Sequence, residues 1–403
     1  MNELLAINGG MPYRKTPFPQ WPVYDDRELD LLKEVLESRK WWRVTGTKVV
    51  EFENKFSELQ GTKYCLAVTS GTHALEISLM ALGVGEGDEV IIPAFSFIST
   101  GSAVVMCGAI PVFVDVDPNT YCMLPYAFEK AITKKTKAVI PVHIAGHACE
   151  MDEICNIARK HNIKVIEDSA HGHGGEWKKN RLGSMGDIGI FSFQNGKLMT
   201  CGEGGCIVTN DSEIYEKAYL IHGVGRPKND KYYNHLVMGT TCRMSEFHAA
   251  VLLAQMERIN IMNKLRETNA AYLDNLLEGF KGIKSQGRNK DANIVTHYMY
   301  MFYYDSLFFH NMTREKFVEA LNAEGIPAFI AFPVISDTEF FRKQKFCKRI
   351  KHYDYTKEAN LCNARLIAEK GVWLPHYTLE GSNSDLEDIV GSLRKIQNIT
   401  NSY

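Results

Sequence analysis

The chain has 403 residues, 45% of them hydrophobic and 23% charged, with a formal net charge of −2. That length exceeds one ordinary small core and points to two domains, one large and one small. The balanced charge, with no long basic or acidic block, excludes nucleic acid or an anionic membrane as the main partner, and no apolar run is long enough to span a bilayer. The N-terminal MNELLAINGGMPYRK lacks the apolar core of a signal peptide. Ten cysteines are scattered, several inside apolar runs (Cys65, Cys107, Cys206), with no CxxC pair. Such spacing fits reduced, buried thiols in a cytoplasmic protein.

In chain order, apolar runs alternate with helical patterns across 62–210. Strands are expected at 65–69 (CLAVT), 89–93 (EVIIP), 111–116 (PVFVDV), 138–142 (AVIPV) and 164–167 (KVIE), and apolar runs also flank 194–204. Their near-continuous Val and Ile content suits strands buried on both faces. Helices are expected between them, at 73–82 and 150–161. The alternation argues for an α/β domain with a mainly parallel sheet. A long helix is expected over 245–262, with another after it. From 282 the texture changes: HYMYMFYYD (297–305) alternates like a strand, and 313–324 reads as a helix capped by Thr313. The expected division is 1–281, an N-terminal segment and large α/β domain, and 282–403, a smaller α+β domain.

In a parallel sheet, ligands gather beyond the carboxyl ends of the strands. After CLAVT comes SGTHA (70–74), small residues opening a helix, which is either a plain Ser cap or a phosphate site. After EVIIP come Phe95 and Phe97; such aromatics pack in a core or cover a flat ring. KVIE is followed by Asp168 and, three residues on, His171. A buried acid needs a partner, whether a basic side chain or a protonated ring nitrogen. Then SFQNGKLMTCGEGG (192–205) places a single Lys197 between two apolar runs, with glycines close behind. Taken alone, its Asn-Gly signals a hairpin turn. Taken together, an amine, a carboxylate, a phosphate-binding helix start and an aromatic lid are the parts that hold pyridoxal phosphate. In such a site the amine forms a Schiff base and the acid keeps the ring nitrogen protonated.

Through SGTHAL (70–75), PAFSFIS (93–99), EDSAH (167–171), SFQNGKLMTCGEGG and RMSEFHAA (243–250), the chain resembles the DegT/StrS sugar aminotransferases, fold type I pyridoxal-phosphate enzymes. WWR (41–43), HGVGRPKND (222–230) and HYMYMF (297–302) are most similar to the 3-amino-5-hydroxybenzoate synthase and aminocyclitol aminotransferase branch. The resemblance implies Lys197 as Schiff-base lysine, Asp168 as partner of the pyridine nitrogen, Phe97 stacked on the ring and His171 near its hydroxyl. It implies Gly71, Thr72 and Ser192 at the phosphate, and Gln194 where many relatives carry His. It also implies a homodimer with shared active sites. In relatives an Asn two residues before the Arg of the RM motif reaches across the dimer, and here that position is Thr241. Since the lysine is present, transamination is implied over the 3-dehydratase chemistry of histidine-bearing relatives. Glutamate or glutamine would be the donor, Lys197 would carry the proton, and a keto sugar or ketocyclitol would be the acceptor. The alternative the resemblance implies is dehydration and aromatisation of an aminoshikimate-like acid. Arg43 and Arg226 are candidates to meet a carboxylate or phosphate of the substrate.

Two rivals belong to other classes. The histidines of HIAGH (His143, His147), with Asp168, His171 and His173, suggest a metal site, but a His pair four apart suits a metal on a helix rather than in a Gly-containing loop. A cofactor-binding regulator without turnover would be marked by a missing lysine or acid, and neither is missing. GVGEGD (83–88) lies before a strand, not after one, and is no dinucleotide loop.

Overall fold

The computed structural model describes residues 4–343 and 360–399. A seven-stranded sheet forms from β1 (Tyr64–Val68), β2 (Glu89–Pro93), β3 (Ile110–Val114), β4 (Thr136–Val139), β5 (Lys164–Asp168), β6 (Ile188–Ser192) and β7 (Gly205–Thr209). Its order is β1-β7-β6-β5-β4-β2-β3, and only β7 runs against the others. The expected mainly parallel α/β architecture is therefore present. The strands are buried on both faces because helices cover both, which is why they read as continuous apolar runs rather than alternating ones.

β6 and β7 are antiparallel neighbours, Ser192 facing Gly205. The stretch around Lys197 is thus a hairpin connection after all, but a long one rather than a two-residue turn. Phe193, Leu198 and Met199 are buried in an aromatic-rich cluster with Phe52, Phe56 and Phe191. These anchors hold both sides of the loop, and the lysine between them is left half-buried.

A four-stranded antiparallel sheet carries the second core: β8 (Ile283–Ser285), β9 (Met299–Tyr304), β10 (Phe329–Ile330) and β11 (Gly371–Pro375). Two features differ from the sequence reading. The N-terminal segment, expected with the larger domain, packs on this second core through Leu5 and Phe18. Its Arg14 reaches Asp385 at 2.6 Å and Asp388 at 2.7 Å. The two helices expected from 245 onward are one, Glu246–Leu277, of 32 residues. No Gly or Pro interrupts it. Buried Asn263, Arg266 and Asn269 break its apolar periodicity, yet each has a polar task. Asn263 donates to the His173 carbonyl at 2.8 Å, Arg266 to the Thr296 carbonyl and Glu380, and Asn269 to the carbonyls of Leu379 and Gly381. This helix thereby joins the two cores behind the strand ends. No described helix is long and apolar enough to cross a membrane.

Candidate active site

The carboxyl ends of β1, β2, β5 and β6 open onto a cavity of about 430 Å³ lined by Gly71, Thr72, Phe97, Asp168, His171, Ser192, Gln194 and Lys197 among others. Each arrives by the local logic of its strand. After β1, Ser70 caps the helix Gly71–Ala81 by accepting from the His73 N–H, which leaves that helix's N-terminus at the cavity. Gly71 must lack a side chain, because a Cβ there would lie 2.8 Å from the Ser192 Cβ. That close approach brings the ends of β1 and β6 together. After β2, Phe97 is 54% exposed, whereas Phe95 is fully buried; only the former faces open space.

Asp168 ends β5 and is 6% exposed. Its oxygens accept from the Thr100 hydroxyl at 3.1 Å and the Ala170 N–H at 3.2 Å. Burial pushes its carboxyl above the usual carboxylate range, against these bonds and the nearby Lys197. Burial likewise pulls the Lys197 amine down to about 8, with Asp168 opposing. A cationic partner beside Asp168 would therefore be strongly favoured. His171 accepts the Ala145 N–H on Nδ1 at 3.2 Å, so the neutral ring carries its proton on Nε2. Burial, then Lys197 and His173, hold it well below its ordinary value.

The other sequence-derived candidates lie elsewhere. Thr241 is exposed and outside this cavity, bridged to Gly223. Arg43 and Arg226 line a separate cleft of about 620 Å³. Within one chain neither reaches the Lys197 cavity, since each is already paired: Arg43 with buried Glu53 at 2.7 Å, Arg226 with Asp230 at 3.0 Å. The histidine cluster does not converge. The ring nitrogens of His143 are taken by Glu167 and the Cys149 N–H, and among the described residues no group of three or more His, Cys, Asp or Glu could hold a metal ion.

The sequence does not single out Thr100, Phe332 or Trp373, and marks Tyr298 only as part of HYMYMF; all four line the cavity. Thr100 had a signal, standing one helical turn after the aromatic pair. Phe332 and Trp373 had none, because they lie on and beside strands of the second sheet, and only tertiary packing brings them here.

Residues 22–394 match the DegT/DnrJ/EryC1/StrS aminotransferase family. The chain is 43% identical to the 3-amino-5-hydroxybenzoate synthase of Amycolatopsis mediterranei, over 93% of this chain and 96% of that protein. It is 34% identical to the L-glutamine:2-deoxy-scyllo-inosose aminotransferase of Micromonospora echinospora, over 98% and 97%. A crystal structure of 3-amino-5-hydroxybenzoic acid synthase superimposes with a TM-score of 0.87 at 39% identity, covering 94% of this chain and all of that one. Aminotransferases of this family are pyridoxal phosphate enzymes. With sequence, fold and cavity in agreement, the chain belongs to the DegT/DnrJ/EryC1/StrS aminotransferase family and is an aminotransferase.

Proposed function

We propose that this cavity holds pyridoxal phosphate on Lys197 and transfers an amino group from glutamine or glutamate to the ketone of a cyclitol or sugar. The observation that carries the reading is the meeting of Lys197 and Asp168 from different strands in one cavity with a free helix N-terminus. The residues fit the group. The Gly71 helix start, Thr72 and Ser192 offer N–H and hydroxyl donors to a phosphate. Phe97 presents an aromatic face, Gln194 lies at the rim, and the neutral His171 has an Nε2 proton for the ring hydroxyl. Asp168, hard to ionise alone, matches a protonated ring nitrogen.

When bound, the cofactor supplies an electron sink for the carbanion formed at the reacting carbon. The chain's own residues do the rest. Lys197 Nζ, poised at about 8, exists in both protonation states near neutrality, so it can take a proton and return it. Phe97, Phe332 and Trp373 wall the cavity with apolar surface and limit water around the amine. The glutamine-dependent inosose aminotransferase among the relatives supports the donor and the cyclitol class of acceptor. A second reading is supported by the 43% identity to 3-amino-5-hydroxybenzoate synthase: dehydration and aromatisation of an aminoshikimate-like acid. Keto-cyclitols and keto sugars offered to the amine form of the enzyme, and that acid offered to the aldehyde form, separate the two.

The purified protein should be yellow, and borohydride should fix the cofactor to Lys197. Peptide mapping that places the adduct on another lysine would refute the site.

The proposal extends to a homodimer in the cytoplasm, with Thr241 reaching the neighbouring chain's phosphate. The exposed Tyr232, Tyr233, Leu236 and Met238, just before Thr241, are apolar surface that a second copy would cover. A neutral hydrogen bond is worth about 0.5–1.5 kcal/mol, so Thr241→Ala should weaken cofactor binding by about threefold to tenfold. Cofactor titration with mass measurement across dilution checks this. A stable monomer with full cofactor affinity would overturn the shared site.

A further inference from the structure

We propose that Tyr298 is a positioning residue for Lys197, its ring face holding the ammonium form of the free amine at the cavity wall. The inference rests on Lys197 being the reactive amine.

Lys197 Nζ stands 4.5 Å from the centroid of the Tyr298 ring. A cation over an aromatic face at this range is attracted by the ring quadrupole, and the attraction grows where water is excluded. Among the described residues, no hydrogen-bond acceptor is found for this amine. The ring itself is firmly seated. On one side it stacks on His171, with centroids 4.2 Å apart and planes at 24°. On another it is backed by His376 at 6.2 Å and 27°. His376 is in turn held by Glu380 at 2.9 Å, and Glu380 by the fully buried Arg266 at 2.7 Å.

The same supports grip the lysine's loop. Trp21, set edge-on to His376, donates its indole N–H to the Asn195 carbonyl at 2.9 Å, and the Gly196 backbone lies against His376. Tyr298 immediately precedes β9 of the second sheet, whereas Lys197 and Asp168 follow or end strands of the first. The platform beneath the amine thus comes from the segment that leads into the second sheet, packs against the aromatic cluster around the lysine's loop, and is braced by the Arg266–Glu380–His376 chain.

The groups facing Lys197 define what the ring must balance. Asp168 at the end of β5 favours the charged amine, and Glu203 also lines the cavity. His171 and His173, in the loop after β5, are neutral and offer no counter-charge. Burial pushes the Tyr298 phenol up to about 12, so the ring acts as a neutral face and not as an anion. Against the burial that favours free amine, Asp168 and this face keep the ammonium accessible.

The test uses apoenzyme, with Tyr298→Phe and then mono-, di- and trifluorinated phenylalanines at the same position. Fluorine drains the ring face with little change of shape. The readout is the rate at which Lys197 is labelled by 1-fluoro-2,4-dinitrobenzene at a fixed pH below its midpoint, followed by peptide mass. Tyr298→Phe should label like the parent protein. Labelling should then rise stepwise, by about threefold to tenfold at the trifluorinated ring, as the ammonium loses its support. A flat series overturns the proposal, as does a Tyr298→Phe variant that already labels like the trifluorinated one, which would assign the effect to the hydroxyl. The borohydride map of the unmodified holoenzyme tests the cofactor reading separately and does not depend on position 298.

Discussion

Lys197→Ala should bind pyridoxal phosphate without a covalent link and lose at least about a thousandfold in turnover. Acid–base catalysis alone contributes roughly 10²–10⁴-fold, and this variant also lacks the nucleophile. Spectra and steady-state kinetics of the variant measure both effects, and near-normal turnover would refute the role given to this lysine. A stability effect of opposite sign should accompany the loss. Burial lowers the amine from its ordinary 10.5 to about 8, so between those values the unfolded chain binds more protons than the folded one. Stability therefore rises with pH through that window, and below it the buried amine is a full cost. Apoenzyme carrying Lys197→Met, which keeps the aliphatic stem's packing, should melt above the parent at neutral pH. The gap should close as pH rises from about 8 towards 10.5. Melting curves across that range check it, and a gap that widens with pH would reverse the sign argued here.

What could be read from the sequence followed how local each signal was. The strands of the large sheet stood out because burial on both faces writes a continuous apolar run, and the candidate site side chains stood out because they follow those runs directly. Asp168, Phe97, Gly71 and Lys197 are each within a few residues of a strand end, so strand order alone brings them to one cavity. The long helix was harder. Asn263, Arg266 and Asn269 sit where apolar residues are expected, and the carbonyls they bind belong to segments far away in sequence. Arg43 shows the same limit from the other side. A lone arginine beside two tryptophans suggests a ligand until its partner, Glu53, is seen ten residues on and equally buried. Tyr298 lies inside HYMYMF, which reads as a strand and as a mark of the family branch without singling out this ring. Its place under Lys197 depends on how the segment before β9 packs against the lysine's loop, and no periodicity encodes that.

Asp168→Asn should leave the fold intact and suppress proton transfer. The variant can keep both native contacts: its amide oxygen can accept from the Ala170 N–H, and its NH₂ can donate to Thr100. That hydroxyl is also 3.0 Å from the Ser96 hydroxyl, so the short chain of hydroxyls can reverse direction. Folded apoenzyme should gain rather than lose stability above the carboxylate range, because burial disfavours the ionised carboxylate and the amide has no charge to bury. With cofactor bound the balance changes. In the proposed site an amide could hydrogen-bond the ring nitrogen but could not hold it protonated, so the electron sink would weaken where the donor's α-proton is to leave. A charge-assisted hydrogen bond is roughly twice as strong as a neutral one, and the whole charge is lost here, so a fall of about a hundredfold or more is expected. Washout of deuterium from the α-carbon of labelled glutamine or glutamate isolates that step from acceptor binding. Rapid washout in Asp168→Asn would reduce Asp168 to a member of the Thr100–Ser96 hydrogen-bond chain. Slow washout with unchanged cofactor occupancy would place its effect on the chemistry itself.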